Sequence, residues 1–221
     1  MKTACVIPAY NEEAALPAVV AGCRRAGLSV CVVDDGSTDA TAARARAAGA
    51  EVLRHERNLG KGRAIESGAE RAASEGCEAV VFLDADGQHD PAELPLFLAA
   101  LRDGADLVVG CRSFDERMPF VRRMTNRFQS WLLSRIAGRP LGDTQCGYRL
   151  VRLALWPRIR PRSGGFAAES EALVRAARAG ARLAFVPVRT VYLEGRRSRI
   201  RPLRDTGRFI LLVLRLLKEG R

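Results

Sequence analysis

Short apolar runs alternate with helix-length stretches through the first half of the chain. Ala4–Pro8, Val30–Val33, Val52–Leu53, Ala79–Leu83 and Leu107–Val109 are the runs. Between them lie Glu12–Ala26, Asp39–Ala48, Lys61–Glu75 and Pro91–Leu101. The runs are nearly continuous in apolar residues, as strands covered on both faces must be. Gly27, Gly49 and Gly76 follow three of the helical stretches as stop signals, and Pro91 stands where a first-turn proline is tolerated. The alternation predicts an α/β domain with a mainly parallel central sheet and helices on both faces. Ligands of such sheets bind beyond the carboxyl ends of the strands, so the residues at those ends are the informative ones.

The second half changes character. Arg117 to Ala137 reads as a basic, apolar helix with Met124, Phe128, Leu132 and Ile136 at four-residue spacing. A turn-rich segment, GDTQCGYR, follows, then a helix near Ala168–Ala179, a strand near Leu183–Val188 and a final helix over Pro202–Lys218. A chain of 221 residues suits one domain, and 48% hydrophobic with 28% charged residues is ordinary for a globular protein. No apolar run approaches the roughly 20 residues of a spanning helix; Phe209–Leu214 is cut by Arg215. The opening residues, MKTACVIPAY, lack a leader-length apolar core, which places the expected protein in the cytoplasm. The six cysteines form no C-x-x-C pair, and the two histidines stand apart from them, so free buried thiols are expected rather than zinc ligands. The net charge of +11 is compatible with nucleic acid, an anionic membrane or phosphorylated substrates.

Three strand ends carry the chemistry. In FLDADGQHDP (82–91) an apolar run stops at Asp84 and Asp86, with Gln88 two residues on. Two carboxylates and an amide at one strand exit present hard oxygens to a point, a site for Mg²⁺ or Mn²⁺ that also takes substrate phosphate oxygens. Asp90 is placed to cap the helix that starts at Pro91. In VVDDGSTDAT (32–41), Asp34 or Asp35 can accept from a base or ribose, and Ser37, Thr38 and Asp39 are N-cap types. In IPAYNEE (7–13), Tyr10 offers a flat face, and Asn11 and Glu12 polar contacts. NLGKGRA (58–64) lacks the spacing and the Ser or Thr of a P-loop, and Asn58 and Gly60 instead shape a loop before a helix.

With these motifs in order, the chain resembles the family 2 glycosyltransferases of GT-A fold, especially the dolichyl- and polyprenyl-phosphate mannose and glucose synthases. The resemblance extends through GCR (110–112), MPFVRRMTNRF (118–128), DTQCGYR (143–149), FAAESE (166–171) and VPVRTVYLEG (186–195). It implies that Pro8, Ala9, Tyr10, Glu12, Val33, Asp35 and Ala85 line the nucleotide-sugar pocket. Asp84 and Asp86 become the D-x-D pair, with Gln88 a further metal ligand. Arg112 and Arg199 would face donor or acceptor phosphates, and Asp143, Gln145 and Arg149 would lie on the acceptor side. Near the end the chain departs from the mannose synthases: Leu193 stands where their R-V-Y-G-E-S-K pattern has its first arginine.

The expected reaction is an inverting, metal-dependent transfer of a hexose from a UDP- or GDP-sugar. A polyprenyl-phosphate acceptor needs no strong general base; a hydroxyl acceptor would need one, with Asp143 as the candidate and Glu169 and Glu171 less suited. The domain is expected to span 1–200, with a nucleotide-sugar and metal half at 1–112, an acceptor half at 113–200 containing the amphipathic helix 117–137, and a basic amphipathic helix at 201–221. In that last helix Arg201, Arg204, Arg208, Arg215 and Lys218 form a stripe beside apolar residues, and Arg122, Arg123 and Arg127 form a second beside Phe120, Met124, Phe128 and Trp131. Both suit an anionic membrane surface and a peripheral location on its cytoplasmic face. A nucleotidyltransferase would need a glycine-rich loop after the first strand, which IPAYNEE does not supply. A nucleic-acid module would interleave aromatics with its basic residues, and aromatics are only 6% here. A non-catalytic nucleotide-sugar binder is the remaining alternative.

Overall fold

The computed structural model describes residues 1–112, 120–163, 167–189, 191 and 202–219. Seven strands form one sheet in the order β3-β2-β1-β4-β6-β5-β7. They are β1 (Thr3–Ala9), β2 (Ser29–Asp34), β3 (Glu51–Arg54), β4 (Ala79–Phe82), β5 (Leu107–Arg112), β6 (Arg149–Arg152) and β7 (Leu183–Val188). β1 pairs in parallel with β2 and β4, β2 with β3, and β5 with β7. β6 runs antiparallel between β4 and β5.

The expected strands are all present, within a few residues. β6 was not anticipated: its four residues follow a turn-rich segment and carry Arg149 and Arg152 at their ends, so no apolar run announces it. Its direction has a consequence for the site. An antiparallel strand begins at the edge where its parallel neighbours end, so the residues before Arg149 enter at the carboxyl edge.

Helices α1 (Leu16–Arg25), α2 (Thr41–Ala47), α3 (Lys61–Ser74) and α4 (Leu94–Arg102) connect the first five strands. Pro91–Glu93 forms a separate 3-10 turn ahead of α4, and the Asp90 side chain caps it by accepting from the Ala92 amide at 2.9 Å. Gly27, Gly49 and Gly76 all take positive φ just past their helices, as their stop-signal role requires. At α2 the cap differs from expectation: Ala40 is the N-cap, and Asp39 reaches forward to the Thr41 amide and hydroxyl instead.

The helix α3 lies close on β1 and β2 because its inner face is made of small residues. A Cβ added at Gly68 would meet Val6 Cγ1 at 2.2 Å and Val33 Cγ2 at 3.2 Å. In the second half come α5 (Phe120–Ala137), the four-residue α6 (Trp156–Ile159), α7 (Ala167–Arg178) and α8 (Pro202–Glu219). α7 packs against both α5 and α8, and Arg178 donates to the Leu216 carbonyl of α8 and the Ile136 carbonyl of α5. All six cysteines are free thiols, five of them buried.

Candidate active site

The carboxyl ends of β1, β2, β4 and β5 and the start of β6 converge on one edge of the sheet. β1 is flanked by β2 on one side and β4 on the other, so the chain leaves the sheet in opposite directions there and opens a crevice. Pro8, Ala9, Val33 and Ala85 are buried, with Pro8 in register with Val33 and Ala9 with Asp34. Tyr10 is exposed at the rim of the crevice, and Asn11, at φ 51°, donates its amide to Ser37 and accepts from the Thr38 amide. Glu12 is buried, its amide bonded to the Thr41 hydroxyl. The turns after β1 and β2 are therefore tied to each other.

The two aspartates at the end of β2 divide their work. Asp34 accepts from the Ser37 amide at 3.0 Å and pairs with Arg54 at 3.2 Å. Asp35 accepts from His55 Nδ1 at 2.7 Å and from the amides of Leu59 at 2.9 Å and Gly60 at 2.7 Å. Gly60, at φ 92° and ψ 154°, is the N-cap of α3, which confirms the loop-shaping role read from NLGKGRA.

Lys61 opens α3 and points to the end of β4. Its Nζ lies 2.5 Å from Asp84 Oδ1 and 3.0 Å from Glu169 Oε1, at the start of α7. Burial works against the ammonium, yet the charges of Asp84 and Glu169 outweigh it and raise the Lys61 pKa. Asp84 shows the reciprocal effect: desolvation opposes ionisation, but Lys61 and then His89, 3.6 Å away, hold its carboxyl below the ordinary range. Asp86 behaves oppositely. Burial and the charge of Asp84 push its carboxyl up, despite the bond from the Gln88 amide at 2.9 Å. The half-buried Gln88 stands beside this pair.

That imbalance bears on the expected divalent cation. One acid of the pair has a lysine counter-charge, whereas the charge of the other is disfavoured by its surroundings, and bound Mg²⁺ or Mn²⁺ would relieve the second. Among the described residues no group of three or more His, Cys, Asp or Glu side chains could cage a metal. An ion held by the acid pair would have to complete its coordination with substrate phosphate oxygens and water. Gly147 lets the loop pack closely on both carboxylates: an added Cβ would lie 2.7 Å from Asp84 Oδ2 and 3.1 Å from Glu169 Oε1.

On the β5 side, Arg112 and Asp143 form a bidentate pair, Nε to Oδ2 at 2.5 Å and Nη2 to Oδ1 at 3.0 Å. Burial alone would lower the guanidinium pKa; the hydrogen bonds and charge of Asp143 raise it instead. Asp143 also accepts from the Gln145 amide at 3.0 Å and is 1% exposed. Gln145 extends to the Ser170 hydroxyl at 3.0 Å. Arg149 is buried and donates to the carbonyls of Cys146, Thr144 and Glu169, so it staples the 143–148 loop to α7 and does not face the crevice. Glu171 turns away from the crevice, accepting from the amides of Arg162 and Ser163 and pairing with Arg175.

Arg199 lies outside the described residues, as do Leu193, Met118, Pro119, Phe166 and Arg201. Sequence reading missed Lys61 and His55 as site residues. The NLGKGRA segment was the available signal for the first; nothing in the sequence pairs His55 with Asp35.

A doubly wound sheet of this order, with an acid pair at the central strand exit and cationic side chains beside it, is the GT-A architecture of glycosyltransferases. The chain belongs to Glycosyl transferase family 2, whose family model matches residues 4–167. It is 33% identical to an undecaprenyl-phosphate mannosyltransferase of Micrococcus luteus over 88% of this chain and 85% of the relative. It is 32% identical to the glycosyltransferase AglJ of Haloferax volcanii over 98% of this chain and 72% of that protein. Among solved structures, glucosyl-3-phosphoglycerate synthase of Mycobacterium tuberculosis with Mn²⁺ and UDP-glucose superposes with a TM-score of 0.73 at 25% identity, covering 99% of this chain and 78% of that one.

Proposed function

We propose that this protein transfers a sugar from a nucleotide-diphosphate donor to a polyprenyl phosphate at an anionic membrane surface. The observation that carries the reading is the outer face of α5. Phe120, Val121, Met124, Phe128 and Trp131 are all exposed and fall within one arc of the helix, and the helix contains four arginines and no acid. Arg123 lies over the Phe120 ring at 5.6 Å and Arg135 over Trp131 at 5.8 Å. Ile210, Leu211, Leu214 and Leu217 add an exposed face on the neighbouring α8, with Lys218 beside them. Exposed aromatic and aliphatic groups interleaved with arginine suit the headgroup region of a bilayer. No helix among the described residues is long and apolar enough to cross one. The names of the Micrococcus relative and of an undecaprenyl-phosphate 4-deoxy-4-formamido-L-arabinose transferase, 31% identical over 66% of this chain, support the acceptor class.

In this reading an acceptor phosphate oxygen attacks the anomeric carbon in line, the bond from that carbon to the donor diphosphate breaks, and the anomeric configuration inverts. Asp84 and Asp86, with Gln88 adjacent, would hold Mg²⁺ or Mn²⁺, which supplies Lewis-acid stabilisation of the departing diphosphate. Lys61, ion-paired with Asp84 and Glu169, and Arg112, ion-paired with Asp143, would fix the carboxylates that border the place where two anionic reactants must approach. A lipid phosphate has its second pKa at about 6 and is largely dianionic at neutral pH, so no general base is required. The geometry favours that acceptor over a hydroxyl. Asp143, the candidate base, has both oxygens committed to Arg112 and is closed to solvent.

The test offers UDP- and GDP-sugars with Mg²⁺ or Mn²⁺, with and without a short polyprenyl phosphate, and scores nucleoside diphosphate release. Lipid-dependent release is the expected result. Release of equal rate without lipid, or with a hydroxyl acceptor alone, would overturn the acceptor assignment.

A further inference from the structure

We propose that His55 is a positioning residue for the transfer, acting through Asp35 on Lys61; this rests on the transferase reading above. His55 continues the line of β3, its amide bonded to the Asp34 carbonyl at 2.9 Å. Its ring is held at both nitrogens, Nδ1 at 2.7 Å from Asp35 Oδ1 and Nε2 at 3.0 Å from Ser67 Oγ on α3. An ionised carboxylate only accepts, so Nδ1 carries the proton, and in the neutral ring Nε2 accepts from the serine hydroxyl.

The same carboxylate takes the Leu59 and Gly60 amides. Gly60 has no side chain with which to cap α3. Asp35, just past β2, holds the amides of Leu59 and of the N-cap Gly60 and places a negative charge near the positive end of the helix. Lys61 is the next residue, and its ammonium reaches Asp84 and Glu169. A continuous line of contacts therefore runs from Ser67 through His55, Asp35, the Gly60 turn and Lys61 to Asp84 and Glu169. His55 selects the Asp35 rotamer; Asp35 sets the turn; the turn aims Lys61.

Ser67, His55 and Asp35 also have the order of a nucleophile triad. Ser67 sits in the interior of α3, however, where the neighbouring amides belong to the helix and cannot form an oxyanion hole. The arrangement holds a loop; it does not activate a serine.

The test compares His55→Ala, His55→Asn, Lys61→Met and the His55→Ala/Lys61→Met double variant, with thermal melts to follow folding. Losing the Asp35 contact should lower kcat roughly tenfold while the acceptor KM changes less than about twofold. His55→Asn, whose amide N–H can replace Nδ1–H, should recover most of that loss. The double variant should turn over no more slowly than Lys61→Met, because both changes act on the same group. Additive losses, or a His55→Ala enzyme as fast as wild type, would overturn the proposal. An activity-independent readout separates it from the transferase reading: amide hydrogen exchange at Leu59 and Gly60 should accelerate about tenfold or more in His55→Ala. Unchanged exchange there sinks the positioning role whatever the enzyme transfers. Accelerated exchange in a protein that turns over no nucleotide sugar upholds the contact network and removes the function. Should His55→Ala fail to fold, Ser67→Ala weakens the same ring from its other nitrogen, and exchange at Gly60 must still rise.

Discussion

Arg112 and Asp143, 31 residues apart in sequence, meet in a two-point ion pair that joins the end of β5 to the loop before β6. Both side chains are nearly closed to solvent, at 9% and 0% exposure. A buried pair of this kind is weak evidence of net stability, but breaking it leaves an uncompensated charge. Asp143→Asn should therefore destabilise the fold by about 3 kcal/mol or more, seen as a fall in melting temperature of roughly 10 °C for a chain of this size. A variant that melts with wild type would show that the guanidinium has another counter-charge.

Asp86 should behave as an acid that the metal-free fold tolerates poorly. Its folded pKa is raised above the ordinary 3.8, so the protonated form is favoured, and stability falls as pH rises through the raised value. Asp84, with its pKa lowered, acts the other way and only below 3.8. Asp86→Asn should accordingly raise the metal-free melting temperature at neutral pH, by an amount that shrinks towards pH 4. The same change should remove any rise in melting temperature on adding Mn²⁺. Differential scanning calorimetry across pH, with and without the ion, checks both; a metal shift that survives in the variant places the ion elsewhere.

Gly147 offers a test by addition. A methyl group there would press on Asp84 Oδ2 at 2.7 Å, a side-chain atom and not backbone, so the fold should survive while the Asp84 carboxylate is displaced from Lys61 and His89. Displacing a reacting-site group by about an ångström costs on the order of 100-fold in rate. Gly147→Ala should melt near wild type and lose turnover by about that factor. Retained turnover would mean that Asp84 need not occupy its observed position.

The outer face of α5 predicts lipid binding separable from chemistry. Arg123→Gln with Arg127→Gln removes two charges worth about 1 kcal/mol each near an anionic surface, or roughly 30-fold in partitioning. Phe128→Ser with Trp131→Ser should weaken binding to neutral vesicles as well. Sedimentation with phosphatidylglycerol-containing vesicles measures both. Turnover with a short, water-soluble acceptor phosphate should remain near wild type; if it collapses along with vesicle binding, the face belongs to the transfer site and not to the membrane.

The polar parts of the fold were partly disguised in sequence. In α5 the row Met124, Phe128, Leu132 and Ile136 suggested one apolar stripe, yet the first two residues are exposed and the last two half-buried, while Leu133 is the one driven fully into the core. A helix that is apolar on two sides gives no periodic signal for which side faces inward. Arg215 belonged to the basic stripe read along α8, but in the fold it turns to Glu171 at 3.8 Å and the Ser163 hydroxyl at 3.1 Å, away from the exposed apolar face.

What the sequence determined by itself was whatever depends on local order. Near-continuous apolar runs specify strands covered on both faces; glycines and prolines mark where helices stop and start; and an acid pair at a strand exit is an acid pair wherever the sheet places it. The sheet's parallel character, the crevice edge and Asp84 with Asp86 were all legible on those grounds. The partners were not. That Lys61 lies between Asp84 and Glu169, that His55 holds Asp35, and that Asp143 is locked by Arg112 each depend on strands and helices brought together by sheet order, above all by an antiparallel β6 between β4 and β5. Side chains tens of residues apart interact only after the core has set the register, and that decision belongs to packing over the whole chain.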